Sequence, residues 1–142
     1  TKSEDLPPVK IGKNAVDQTS LVSNGSVIEG TVINSVISPG VRIGAGTVVK
    51  DSVILNNAII GENAYIDKCI LDKRVVIGHE ARLGHGNDYT PNKEKPDLLS
   101  SGITVVEKRA QIPEGVIIGR NVRVFSTYTF PNKVIASGET VR

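Results

Sequence analysis

A parallel β-helix, an all-β coil of triangular cross-section, is the fold predicted by three features of this 142-residue sequence. Valine and isoleucine together number 35 against 7 leucines, an excess of β-branched side chains that favours strands over helices. Aliphatic residues recur at hexapeptide spacing through Ile43, Val49, Ile54, Ile60, Ile66, Leu71, Ile77 and Leu83, in steps of 5 or 6 that sum to 17 over three steps. A small or β-branched residue follows most of them by four places: Thr47, Val53, Ala58, Ala64, Ile70, Val75 and Ala81. One aliphatic and one small inward residue per short strand, three strands per 17 residues, make a coil that buries its apolar wall only by stacking on its neighbours. A sandwich of antiparallel hairpins would instead need strict period-two alternation with a turn every 8 to 12 residues.

Taken in order, residues 1–10 (TKSEDLPPVK) are polar with a Pro-Pro pair and read as a linker from a preceding catalytic domain. The sequence contains no methionine, so it reads as part of a longer chain. Residues 11–124 form the β-helix, in roughly six coils and three columns. One column runs Val22, Ile37, Ile54, Leu71, Val106, Val124; the next Ile11, Ile28, Ile43, Ile60, Ile77, Ile112; the third Val16, Ile33, Val49, Ile66, Leu83, Ile118. Residues 85–102 (HGNDYTPNKEKPDLLSSG) break the period with two prolines and form an external loop, a length usually kept for function. Residues 125–142 leave the hexad pattern, hold three of the five aromatics, and read as a cap against edge pairing.

Composition excludes several functions. The longest apolar runs are three or four residues, too short for a bilayer span or a signal peptide. With 17 basic against 15 acidic side chains there is no charge-led case for nucleic acid or membrane. A lone Cys69 excludes an intrachain disulfide framework and a multi-Cys zinc site; it aligns with Ser20, Ser35 and Ser52 in a slot for small residues and reads as packing. No metal-ligand spacing occurs, and Gly44-Ala45-Gly46 and Gly84-His85-Gly86 read as turn glycines rather than a dinucleotide fingerprint.

The corner after the first column is uncharged in the early coils, at Asn24-Gly25, Pro39-Gly40 and Asn56-Asn57. On either side of the loop it becomes LDKRV and VEKRA, which sets Lys73, Arg74, Lys108 and Arg109 at equivalent corners of adjacent rungs. Cations stacked about 4.8 Å apart repel one another, and the arrangement points to an anion, with Arg gripping phosphate by two parallel bonds and Lys as a point charge. Asp72 and Glu107 precede each pair, and neutralisation by them is the competing reading. His85, at the mouth of the loop, and His79, at a turn, are the candidates for a general base, but neither has an identifiable orienting partner.

The run from Ile37 through Gly84, the loop DYTPNKEKPDLLSSG and the following ITVVEKRAQIPEGVIIGRN resemble the carboxy-terminal domain of bacterial glucose-1-phosphate adenylyltransferase. The resemblance covers most of the chain, including SEDLPP near its start, and it implies the left-handed form of the helix. It also implies a cytoplasmic enzyme of glycogen biosynthesis that makes ADP-glucose and pyrophosphate from ATP and glucose 1-phosphate with Mg²⁺, usually as a homotetramer. Catalytic groups, ATP and Mg²⁺ would then belong to an amino-terminal nucleotidyltransferase domain, leaving this chain the regulatory and assembly role and no catalytic residue. A Lys in the segment matching VVEKRAQIP contributes to the phosphorylated-activator site of relatives, and that position is Lys108; Arg109, Lys73 and Arg74 extend the site on the charge-stack argument. Glu62 stands in IIGENA where some relatives carry a basic residue. The alternatives are a hexapeptide acyltransferase that uses an acyl-CoA and His85, and a purely structural oligomerisation rod.

Overall fold

The computed structural model describes residues 7–12 and 16–142; most of the expected linker lies outside them. Every strand pairing is parallel, and the strands form three sheets that are the three faces of one prism. The first face stacks Lys10–Ile11, Val27–Ile28, Arg42–Ile43, Ile59–Ile60, Val76–Ile77 and Gln111–Ile112. The second stacks Val16–Gln18, Thr31–Ile33, Val48–Lys50, Tyr65–Asp67, Arg82–Leu83, Ile117–Ile118 and Val134–Ile135. The third stacks Leu21–Val22, Val36–Ile37, Val53–Ile54, Cys69–Leu71, Thr104–Val106, Arg123–Val124 and Thr140–Val141. The chain visits the faces in that order, coil after coil, so this is a parallel β-helix of about seven turns, consistent with the left-handed hexapeptide form.

The aliphatic columns are the core. Ile43, Ile60 and Ile77 stack on the first face, Val49, Ile66 and Leu83 on the second, Ile37, Ile54 and Leu71 on the third, all buried. Each such side chain contributes about 1.5–3 kcal/mol of burial. Corners turn through left-handed backbone: the corner from third to first face does so at Gly25, Gly40, Asn57, Arg74 and Arg109. Small polar side chains link rungs inside the wall. Ser35 Oγ accepts the Ser52 N–H at 3.1 Å, Ser52 Oγ accepts the Cys69 N–H at 3.1 Å, and the Cys69 thiol donates to the Asp67 carbonyl at 3.3 Å. Cys69 is therefore a packing residue in the serine slot, and burial holds its thiol protonated well above the usual range, assisted by the Asp67 charge.

Three expectations are corrected. In the second coil the buried residue is Val32, not Ile33, and Val16 pairs with Thr31, so that column is displaced by one residue. The cause is a tight corner at Gly30, buried against the Thr47 carbonyl where a Cβ has no room. It shortens the step to Val32 and makes this coil 15 residues, since Ile28 pairs with Ile43, where the next coil pairs Ile43 with Ile60. Val53 and Ile70 face outward, and the inward small residues beside them are Ser52 and Cys69. The solenoid also runs past Val124. Within 125–142, expected to leave the pattern, Val134–Ile135 and Thr140–Val141 extend the second and third faces.

The first face ends one rung earlier than the others, and its last edge is blunted. Gly44, Gly61 and Gly78 each donate their N–H to the next rung; the equivalent position of the final rung is Pro113, which has none. Tyr128 and Phe130, in edge-to-face contact with centroids 4.6 Å apart, pack against the core beside it.

Candidate functional site

The strand register sets the four predicted cations. Leu71 pairs with Val106, so Lys73 and Lys108 occupy the same corner position of adjacent rungs, as do Arg74 and Arg109. The Arg109 N–H donates to the Lys73 carbonyl at 3.0 Å, and the Arg74 N–H to the Asn56 carbonyl at 2.9 Å, so backbone bonds fix the corner while all four side chains remain exposed. The neighbouring carboxylates are otherwise engaged. Asp72 Oδ1 accepts the Lys73 backbone N–H at 2.7 Å, and Glu107 Oε1 accepts the Ser126 hydroxyl at 3.2 Å. Among the described residues none of the four cations is in an ion pair. Below Arg109, the corner opens onto a groove lined by Val76, Ile112, Pro113, Tyr128 and Phe130. The arrangement holds positive charge about one strand spacing apart with free guanidinium and ammonium donors, the chemistry that grips a phosphate or carboxylate.

The histidines are placed differently. His79 Nδ1 accepts the Glu62 N–H at 2.8 Å, a rung-to-rung bond. His85 is exposed beside Tyr65 and Arg82, and among the described residues no carboxylate bonds its ring. Among the described residues there is no group of three or more His, Cys, Asp or Glu that could hold a metal ion. No described helix is long and apolar enough to cross a membrane.

Sequence reasoning missed a second polar centre, at the corner from second to third face where the 85–102 loop is inserted. Arg120 and Asp67 pair there at 2.9 Å with side chains only 8% and 9% exposed. Arg120 Nε donates to the Gly86 carbonyl at 2.6 Å, and its guanidinium lies 4.7 Å over the Tyr89 ring. Asn92, fully buried, donates to the Asn121 carbonyl and accepts the Glu94 and Lys95 N–H groups. Asn121 accepts the Gly102 N–H and donates to the Tyr89 and Thr90 carbonyls. Arg142 grips Glu94 by two bonds at 2.6 and 2.7 Å, and Lys93 pairs with Glu139. The loop is thus clamped to the last rungs. The one local signal was Asn121, a residue tolerant of left-handed backbone at a corner position.

Fold and hexapeptide core together define the class: the chain belongs to the GlmU-like C-terminal hexapeptide family, whose model matches residues 7–106. Within that class it is similar to the carboxy-terminal part of glucose-1-phosphate adenylyltransferases. It is 48% identical, over 99% of its length, to that of Thermomicrobium roseum, and 40% identical over 94% to that of Acetivibrio thermocellus. It spans about a third of those relatives, 34% and 33%. The acetyltransferase domain of PglB from Neisseria gonorrhoeae matches 94% of the chain and 53% of its own at 19% identity and a TM-score of 0.51, a likeness of fold alone.

Proposed function

We propose that this β-helix is the regulatory and assembly part of a cytoplasmic glucose-1-phosphate adenylyltransferase, and that the corner formed by Lys73, Arg74, Lys108 and Arg109 receives a phosphorylated effector. The supporting observation is the stack itself: four exposed cations on two adjacent rungs, none in an ion pair among the described residues. The similarity to relatives that carry this activity supports the whole-enzyme part of the reading. ATP, Mg²⁺ and the catalytic groups belong, on this reading, to a preceding domain of the same chain.

A stiff rod transmits binding at one corner only if the two arrangements of the neighbouring domain differ in affinity for the ligand. The effector would stabilise the arrangement in which a catalytic domain and the corner both contact it, with Lys108 as the central charge. In the whole enzyme, Lys108→Ala should raise the half-activating concentration of a phosphate-ester activator about tenfold, the equivalent of about 1.4 kcal/mol. An unchanged half-activating concentration would remove the corner from regulation.

A further inference from the structure

The first face stops at Gln111–Ile112, and a groove follows it in place of a seventh strand. In earlier rungs the Ile59 N–H donates to the Val75 carbonyl at 2.9 Å and the Val76 N–H to the Ala110 carbonyl at 3.0 Å. The equivalent Gln111 N–H has no strand beyond it, because residues 128–130 depart from the period and leave a space of about 610 Å³ beside it. That volume is ordinary for a small-ligand site. The backbone bordering the space is strained. Phe130 is the only aromatic among the described residues in left-handed backbone, at φ 55°, directly before Pro131. Such backbone is unfavourable for a bulky side chain and collects where a site needs that side chain held in place.

We propose that this groove binds a neutral saccharide, with a hexose ring against Tyr128 and Phe130 and its hydroxyls on the polar lining. Ile112, Pro113 and the two aromatic rings offer apolar surface to the C–H face of a sugar. The Gln111 N–H and side-chain amide, with the exposed Thr127 and Thr129 hydroxyls, offer donors and acceptors to sugar hydroxyls in the same space. Competing ligand classes fit less of it. Tyr128 and Phe130 are inclined at 68°, so they form no parallel slot for a flat heteroaromatic base. A purely apolar ligand would cover the Gln111 N–H without pairing it, a cost that a hydroxyl oxygen removes. Arg109 is the one charged residue of the lining, so the groove does not call for an ionic ligand.

This site is separate from the effector corner: the corner grips charge, the groove a ring, and Arg109 borders both. The test is heteronuclear NMR of the 142-residue chain titrated with maltotriose, an uncharged glucose trimer. Glycerol serves as a polyol without a ring, and glucose 1-phosphate as a charged counterpart. Maltotriose should give saturable amide shifts at Gln111 and 126–130, with a dissociation constant on the order of 1–10 mM that salt changes by less than about twofold. Glycerol should not saturate. Gln111→Ala, at an exposed position, should weaken binding about threefold or more, and Phe130→Ala should abolish it. Lys108→Ala should bind maltotriose within about twofold of the parent. If Phe130→Ala loses the parent's circular dichroism spectrum, Gln111→Ala decides alone. No saturable shift at those residues, saturation by glucose 1-phosphate only, or a Gln111→Ala chain that binds like the parent would each overturn the proposal. Pyrophosphate shifts at the corner without maltotriose shifts in the groove would sink the saccharide site and leave the effector reading untouched.

Discussion

Two corners of the prism use the same backbone and treat charge in opposite ways. At the corner from second to third face, Asp67 and Arg120 are buried beneath the loop and bonded to each other, Arg120 also bonds the Gly86 carbonyl, and Asn92 and Asn121 tie the same loop to the last rungs. At the corner from third to first face, Lys73, Arg74, Lys108 and Arg109 stand on equally regular rungs with nothing laid over them. The solenoid supplies left-handed corner positions to both, Lys68 and Asn121 in the first, Arg74 and Arg109 in the second. What separates structural from available charge is whether another segment covers it. Covered ions must be matched, because an uncompensated buried charge costs several kcal/mol. Uncovered ones cost little, and so remain free for a ligand.

Breaking the covered corner has the largest expected effect. Arg120→Met leaves the Asp67 carboxylate buried without its partner and should destabilise by about 3–5 kcal/mol, read in denaturant unfolding, with loss of protection in the 85–102 loop by hydrogen exchange. Replacing Asp67 as well, with Asn, should recover part of that loss; a milder single than double variant would contradict the ion-pair account. Next comes Asn92→Ala, which strands the Asn121 carbonyl and the Glu94 and Lys95 N–H groups and should cost about 2–4 kcal/mol, releasing the loop from the last rungs. Lys108→Ala, by contrast, should change stability by less than about 0.5 kcal/mol, the sharpest statement of the contrast between the corners.

The smallest effect concerns pH. The Arg142 hydrogen bonds hold Glu94 below its usual carboxylate range. A carboxylate depressed in the folded state adds stability above its unfolded value and loses it as pH falls through the folded one. Acidification should therefore loosen Arg142 from the loop first, seen as rising amide exchange near Thr140–Val141 before the middle rungs respond.

Much of the fold was legible because a solenoid repeats one physical demand: an aliphatic side chain at each inward position. Two of the three columns are as the spacing places them, Ile11 to Ile112 and Val22 to Val124. The displaced one depended on Gly30, whose tight corner removes residues without disturbing the hydrophobic pattern around it. The stacked cations were legible too, since adjacent rungs with equal corners convert sequence spacing into a position in space. The clamp was not. Its partners lie 53 residues apart for Asp67 and Arg120 and 29 for Asn92 and Asn121, and the loop that joins them has no period to follow.

Heteronuclear NMR of the chain, titrated with inorganic pyrophosphate, tests the available corner most directly. The account predicts amide shifts concentrated at 73–74, 108–109 and the adjoining 126–127, saturable and weakened by salt. Shifts spread over all exposed lysines, Lys93 and Lys95 of the loop among them, or no saturable shift at that corner, would contradict it.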